Sequence, residues 1–103
     1  MQVIKTNQFT PQKAWDALSI ANMNDITVRL HWADKAYHWH VNNGEEVFAV
    51  LDGEVTMHCQ VKGKTTSTLL KTGDIFYASI GTKHYAQPIG EARMLVIEQQ
   101  GSI

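Results

Sequence analysis

The chain has a single cysteine, Cys59, so no internal disulfide can form and cysteine usage leaves the redox compartment open. No stretch approaches the roughly 18 consecutive apolar residues of a membrane-crossing helix. The start, Met1-Gln2-Val3-Ile4-Lys5-Thr6-Asn7, lacks the basic region and long apolar core of a secretory signal, so a cytoplasmic location is expected. Nine Lys and Arg stand against ten Asp and Glu, a net charge of -1, which provides no basic field for nucleic acid. There is no repeat, linker or low-complexity segment. At 103 residues a second domain could not bury a core of its own, so 1-103 reads as one domain. The composition present, 44% hydrophobic and 18% charged, is that of a folded soluble protein.

Turn signals recur along most of the chain. From Ile26 the pattern has period two: Val28, Leu30 and Trp32 alternate with Thr27, Arg29 and His31, as on a strand with one buried face. On this reading Arg29 and His31 share the other face, which is expected to be solvated, with an Arg-His pair facing a substrate anion as the alternative. Strands follow at Tyr37 to Val41, Glu46 to Leu51, Glu54 to Val61, Thr65 to Leu70, Ile75 to Ala78 and Ala92 to Glu98. Asn42-Asn43-Gly44, Asp52-Gly53, Gly63 and Thr72-Gly73-Asp74 supply turns, Asp52-Gly53 as a tight hairpin turn, and Gly101-Ser102-Ile103 ends as a tail. Near the start, Thr10 reads as an N-cap with Pro11 at the first helical position. Ala14, Trp15 and Leu18 share a helical face, which predicts a short helix over 11-20 with Trp15 as a packing anchor. The pattern is all-β apart from that helix, a sandwich or a barrel.

The densest chemistry sits at His38-Trp39-His40. One intervening residue in a strand returns a side chain to the same face about 6.5-7 Å further on, so two imidazoles can converge on one ion. Each would place a nitrogen roughly 2.0-2.1 Å from a transition metal, and a carboxylate and a third imidazole from neighbouring strands would complete the set. His31 and His58 lie outside this arrangement and suit a polar face or a pocket lining.

From His38 the chain reads through Glu45 and Glu46 to Gly53, and later from Gly73 through Ser79 and Gly81 to His84. This resembles the two signature motifs of the cupin superfamily: His-x-His followed by Glu, six residues and Gly, then Gly, five residues, Pro, x, Gly, two residues and His. The second motif matches in every spacing, with Ser79 where the family usually has proline and Pro88 where it often has asparagine. The first carries five residues between His40 and Glu46 where three or four is usual, which leaves Glu45 or Glu46 as the carboxylate. The six-residue distance to the Gly53 turn favours Glu46, because a tight turn sets register while the Asn42-Asn43-Gly44 loop can absorb an extra residue.

The resemblance implies a cupin-like jelly-roll β-barrel with one short N-terminal helix, covering 1-103. It implies one divalent transition metal ion, Mn, Fe, Ni, Cu or Zn, held by His38, His40, Glu46 and His84, with two positions of an octahedral ion left for substrate. It also implies a small-molecule ligand in the barrel and pairing into a homodimer, with edges near Val3-Ile4 and Leu95-Val96. The expected activity is that of a metal-dependent enzyme on a small molecule, oxygenase or sugar-isomerase-like. A non-catalytic binding or sensing module and a metal-stabilised structural domain are the other classes.

Overall fold

The structure is a computed structural model, and it describes residues 1-99; the tail at Gly101-Ser102-Ile103 lies outside the described residues. Among the described residues seven strands follow one short 3-10 turn at Thr6–Gln8: β1 Ala17–Met23, β2 Ile26–Ala33, β3 His40–Val41, β4 Glu46–Val61, β5 Lys64–Leu70, β6 Ile75–Ala78 and β7 Lys83–Gln99. All pairings are antiparallel, in the order β1-β2-β7-β4-β5, with β3 added to β7 and β6 to β4. This is the all-β cupin-like architecture expected.

Two long strands organise it. β4 and β7 pair along their length, from Glu46 opposite Glu98 to Gln60 opposite Lys83, and the ladder breaks register on either side of Asp52. Before the break, β4 pairs with β6 and the second half of β7 pairs with β2; beyond it, β4 pairs with β5 and the first half of β7 pairs with β3. Each long strand therefore serves two layers, bent at the corner where a bulge increases the twist. Asp52-Gly53 accordingly bends one continuous strand and does not reverse the chain as a hairpin turn. Gly53 sits at φ 81, and a Cβ there would meet the Glu91 carbonyl oxygen at 2.3 Å, so only glycine fits the corner.

The extra residue at the bend changes which parity faces inward. Phe48 and Val50 point into the core before it, Val55 and Met57 after it, joined by Ala33, Ala86, Ala92, Met94 and Val96. The odd-numbered side of β2 thus faces inward as well, and Thr27 is buried while Arg29 and His31 are half-buried. The expectation of a solvated face there is corrected: this side of β2 lines a cavity. Its other side, Val28, Leu30 and Trp32, is also buried. The segment before β1 is fastened by Arg93, whose Nε donates to the Phe9 carbonyl at 2.8 Å and whose Nη2 donates to Thr10 Oγ1 at 2.6 Å.

Two further expectations are corrected. The helix predicted over 11-20 is not formed: residues from Ala17 are strand, paired with β2 from Ala17 opposite His31, and the helical turn lies earlier, at Thr6–Gln8. Ala14, Trp15 and Leu18 do sit at helical spacing, but edge pairing with β2 satisfies more backbone than a short isolated helix would. Leu95-Val96 is not an edge either, since that part of β7 is hydrogen-bonded between β2 and β4, and Val3-Ile4 is outside any strand.

Candidate metal centre

Three of the four expected ligands meet. His40, Glu46 and His84 each offer a ligand atom, and these atoms lie within 4.8 Å of one another. The strands explain why. His40 on β3 is directly opposite His84 on β7, with ring centres 4.2 Å apart, and Glu46 opens β4 on the inward parity shared with Phe48 and Val50. Glu45 points outward and accepts a hydrogen bond from the Tyr77 hydroxyl, so the carboxylate beside the two histidines is that of Glu46.

His38 stands apart. It is exposed, stacked on Tyr37 with ring centres 4.0 Å apart, and its ring centre is 5.9 Å from that of His40. The alternation that would put His38 and His40 on one face requires extended strand through both, and β3 begins only at His40.

The orientation of the two clustered imidazoles suits an ion. His84 Nδ1–H donates to the Thr82 carbonyl at 3.0 Å and His40 Nδ1–H to the His38 carbonyl at 3.1 Å. A ring donating from Nδ1 presents Nε2 as a lone pair, the arrangement typical of a metal-ligating histidine. His84 Nε2 and Glu46 Oε1 are both buried without a hydrogen-bond partner, and they face each other at 3.3 Å. Buried polar atoms without partners are rare. Their separation falls in the range of about 3.0-3.4 Å expected between two donors on one ion at about 2.1 Å. The residues present therefore fit a divalent metal. This cluster could hold one.

Around the cluster lies a cavity of about 130 Å³, walled also by Trp15, Arg29, His31, Tyr37, Met57 and Glu98. Burial holds His40 below the ordinary histidine range, with the neighbouring His84 acting in the same direction. His84 moves the other way: burial pulls it down, but the Glu46 carboxylate beside it and the Thr82 carbonyl outweigh that. Glu98 was not singled out by any motif. It lies directly across from Glu46 in the ladder, is buried, and is pushed up to about 7 by burial and then by the Glu46 charge. Only its even position in the last strand, on the parity of Met94 and Val96, pointed inward from sequence.

The other two histidines divide. His31 lines the cavity, whereas His58 lies on the opposite side of β4 from Met57, bound to Ser67 Oγ at 2.7 Å and Gln87 Oε1 at 2.8 Å and stacked on Tyr85. Trp15 is more than a packing anchor, since its ring forms part of the cavity wall.

A small antiparallel barrel whose inner wall gathers two imidazoles and a carboxylate beside a cavity defines a class of β-barrel protein equipped to hold a metal ion. Comparison with known proteins gives the family. The sequence profile of the cupin domain matches residues 27-98, and the chain belongs to the cupin family. It is similar to a cupin-2 domain containing protein from Shewanella frigidimarina, 24% identical over 93% of this chain and 89% of that one, with a TM-score of 0.75. A cupin superfamily protein from Desulfitobacterium hafniense superposes over 97% of this chain and 91% of its own at a TM-score of 0.81, with 12% identity, which speaks to the fold alone. The chain is also 32% identical over 62 residues to 3-hydroxyanthranilate 3,4-dioxygenase from Bos taurus; that match takes in 60% of this chain and 22% of the enzyme's length.

Proposed function

We propose that the protein is a metal-dependent oxygenase acting on a small molecule, with His40, Glu46 and His84 as the ligands of one divalent ion. The observation that carries this reading is the buried pair Glu46 Oε1 and His84 Nε2, which face each other at 3.3 Å and have no other partner. Two histidines and one carboxylate form the donor set that characterises non-haem Fe(II) oxygenases, so Fe(II) leads Mn, Ni, Cu and Zn. The similarity to a dioxygenase points the same way. An ion so held would supply Lewis-acid or electron-transfer chemistry. The chain's own residues do the rest. The carbonyls of Thr82 and His38 fix the imidazole tautomers, and Phe48 and Met57 supply an apolar wall beside the cluster. His38 is a candidate fourth ligand if its segment turns inward on loading.

Metal analysis of protein purified without chelator, followed by oxygen-consumption screening, tests this. His84→Ala should lower metal content sharply at near-unchanged fold, since the barrel core is hydrophobic without the ion. Unchanged stoichiometry in that variant would refute the centre. Persistent zinc with no oxygen uptake would favour the second reading, a non-catalytic binding module. A homodimer is proposed as the working unit, with the exposed Ile75 and Tyr77 of β6 at an edge suited to being covered. A molar mass by light scattering that stays monomeric at high micromolar concentration would contradict it.

A further inference from the structure

Arg29 and His31 line the same cavity as His40, Glu46 and His84 but stand outside that group. Their place follows from register. Arg29 is opposite Val96 and His31 opposite Met94 on β7, whose other neighbour, β4, carries Phe48 and Val50 opposite those same residues and Glu46 just before them. Two strand spacings, about 10 Å, therefore separate the β2 row from the β4 row, and a long arginine side chain closes much of that distance. Among the described residues Arg29 makes no ion pair within 4.0 Å, although it is half-buried in the cavity wall. The acidic residue in its row, Glu98, sits diagonally, opposite Thr27. Arg29 acts on Glu98 only at a distance, so its guanidinium keeps a planar fork of donors, the shape that receives a carboxylate on two hydrogen bonds.

His31 offers the complement. Its Nδ1–H donates to the Trp15 carbonyl at 2.9 Å, and burial, reinforced by the Arg29 charge, holds its pKa below the ordinary histidine range. The ring is therefore neutral near pH 7, and Nε2 is an acceptor. Trp15 is locked for this duty. It sits at φ 72, a left-handed conformation that is costly for a bulky residue and persists only where its surroundings over-determine it. Its amide donates to the Trp32 carbonyl and its indole Nε1 to the Lys35 carbonyl, each at 2.8 Å.

We propose that Arg29 and His31 are the anchoring end of the cavity, and that the ligand is a small carboxylate carrying a neighbouring hydroxyl or amino group. The carboxylate rests on the Arg29 guanidinium, the hydroxyl or amino hydrogen is donated to His31 Nε2, and the remainder of the molecule points toward His40, Glu46 and His84. That last orientation rests on the metal-centre reading; the anchoring itself does not. The cavity holds about 130 Å³, below the ~300-1,000 Å³ of drug-sized pockets, so only the anchored few heavy atoms of a ligand fit within it.

Titration calorimetry with lactate, propionate and propane-1,2-diol, three probes of similar size, tests the assignment on metal-stripped and metal-loaded protein whose metal content is measured. Lactate should bind at least about tenfold more tightly than the diol, with propionate between them, as charge-assisted hydrogen bonds require. Arg29→Gln should abolish the preference for the two carboxylates, Arg29→Lys should recover part of it, and His31→Gln should narrow the gap between lactate and propionate. Equal binding of lactate and the diol by the wild-type protein would overturn the proposal without recourse to any variant. So would lactate binding that Arg29→Gln leaves unchanged in the metal-loaded protein, because that is chelation by the ion alone. A protein that takes up no metal yet shows the Arg29-dependent preference would refute the metal centre and leave the anchor standing. Normal metal loading without the preference would do the reverse.

Discussion

Glu98 makes the metal-free protein lose stability as pH rises, and removing its charge should remove that loss. It is buried, it stands directly across from Glu46, and it titrates at about 7 in the folded protein against an ordinary 4.5. Between those two values the folded state holds a proton that the unfolded state has released. Its contribution to stability is thus fully present below about 4.5 and is lost as pH rises through about 7. At about 1.36 kcal/mol per pH unit the difference sets an upper limit of about 3.4 kcal/mol. The half-buried Arg29 and His40 leave the cavity open to water, and screening reduces the expected figure to about 1-2 kcal/mol. Urea unfolding of metal-free wild type and Glu98→Gln at pH 5, 6, 7 and 8 measures it. The variant should be the more stable at pH 8, with its advantage shrinking toward pH 5. The difference between the two curves reports Glu98 together with the groups its charge acts on, chiefly His84, which Glu98 raises, and Glu46, whose charge raises Glu98. A difference that stays flat from pH 5 to 8 would mean that the two carboxylates do not share one environment, and the inward placement of Glu98 would be refuted.

Glu46→Gln should weaken metal affinity at least about tenfold while Glu45→Gln leaves it unchanged, measured by competition with a chelating dye, because only Glu46 lies beside His40 and His84. Gly53→Ala should destabilise the fold by about 2 kcal/mol or more in chemical denaturation, since φ 81 and the Glu91 carbonyl oxygen at 2.3 Å from an added Cβ oppose any side chain there. Asn42→Ala should cost about 1-3 kcal/mol in the same assay, because buried Asn42 Nδ2 donates to the Ser79 carbonyl at 2.8 Å and also to that of Gly44, tying the loop before Glu46 to the loop before His84.

Much of this protein is legible in one dimension. Period-two alternation marks β2, and turn signals bound most of the other strands. The resemblance of the stretches around His40, Glu46 and His84 to the two cupin motifs points to the residues that cluster, although Gly53 proves to be a bend within β4 and not the hairpin turn that the register argument assumed. Other features depend on long-range pairing. Whether Arg29 and His31 meet water or a cavity depends on what covers each side of β2, and alternation alone cannot say which apolar or polar row is inside. Residues 17-20 could satisfy a helix or a strand, and β2 decides for the strand by offering backbone partners. His38 shares a face with His40 only if the strand begins early enough, and β3 begins at His40. Glu98 becomes a neighbour of Glu46 because β7 returns antiparallel along β4. Local periodicity and turn chemistry thus determined most of the strands, and motif resemblance pointed to the three residues that cluster, while the contents of the cavity were decided by which strands lie side by side, a property of backbone hydrogen bonds between residues far apart in the chain.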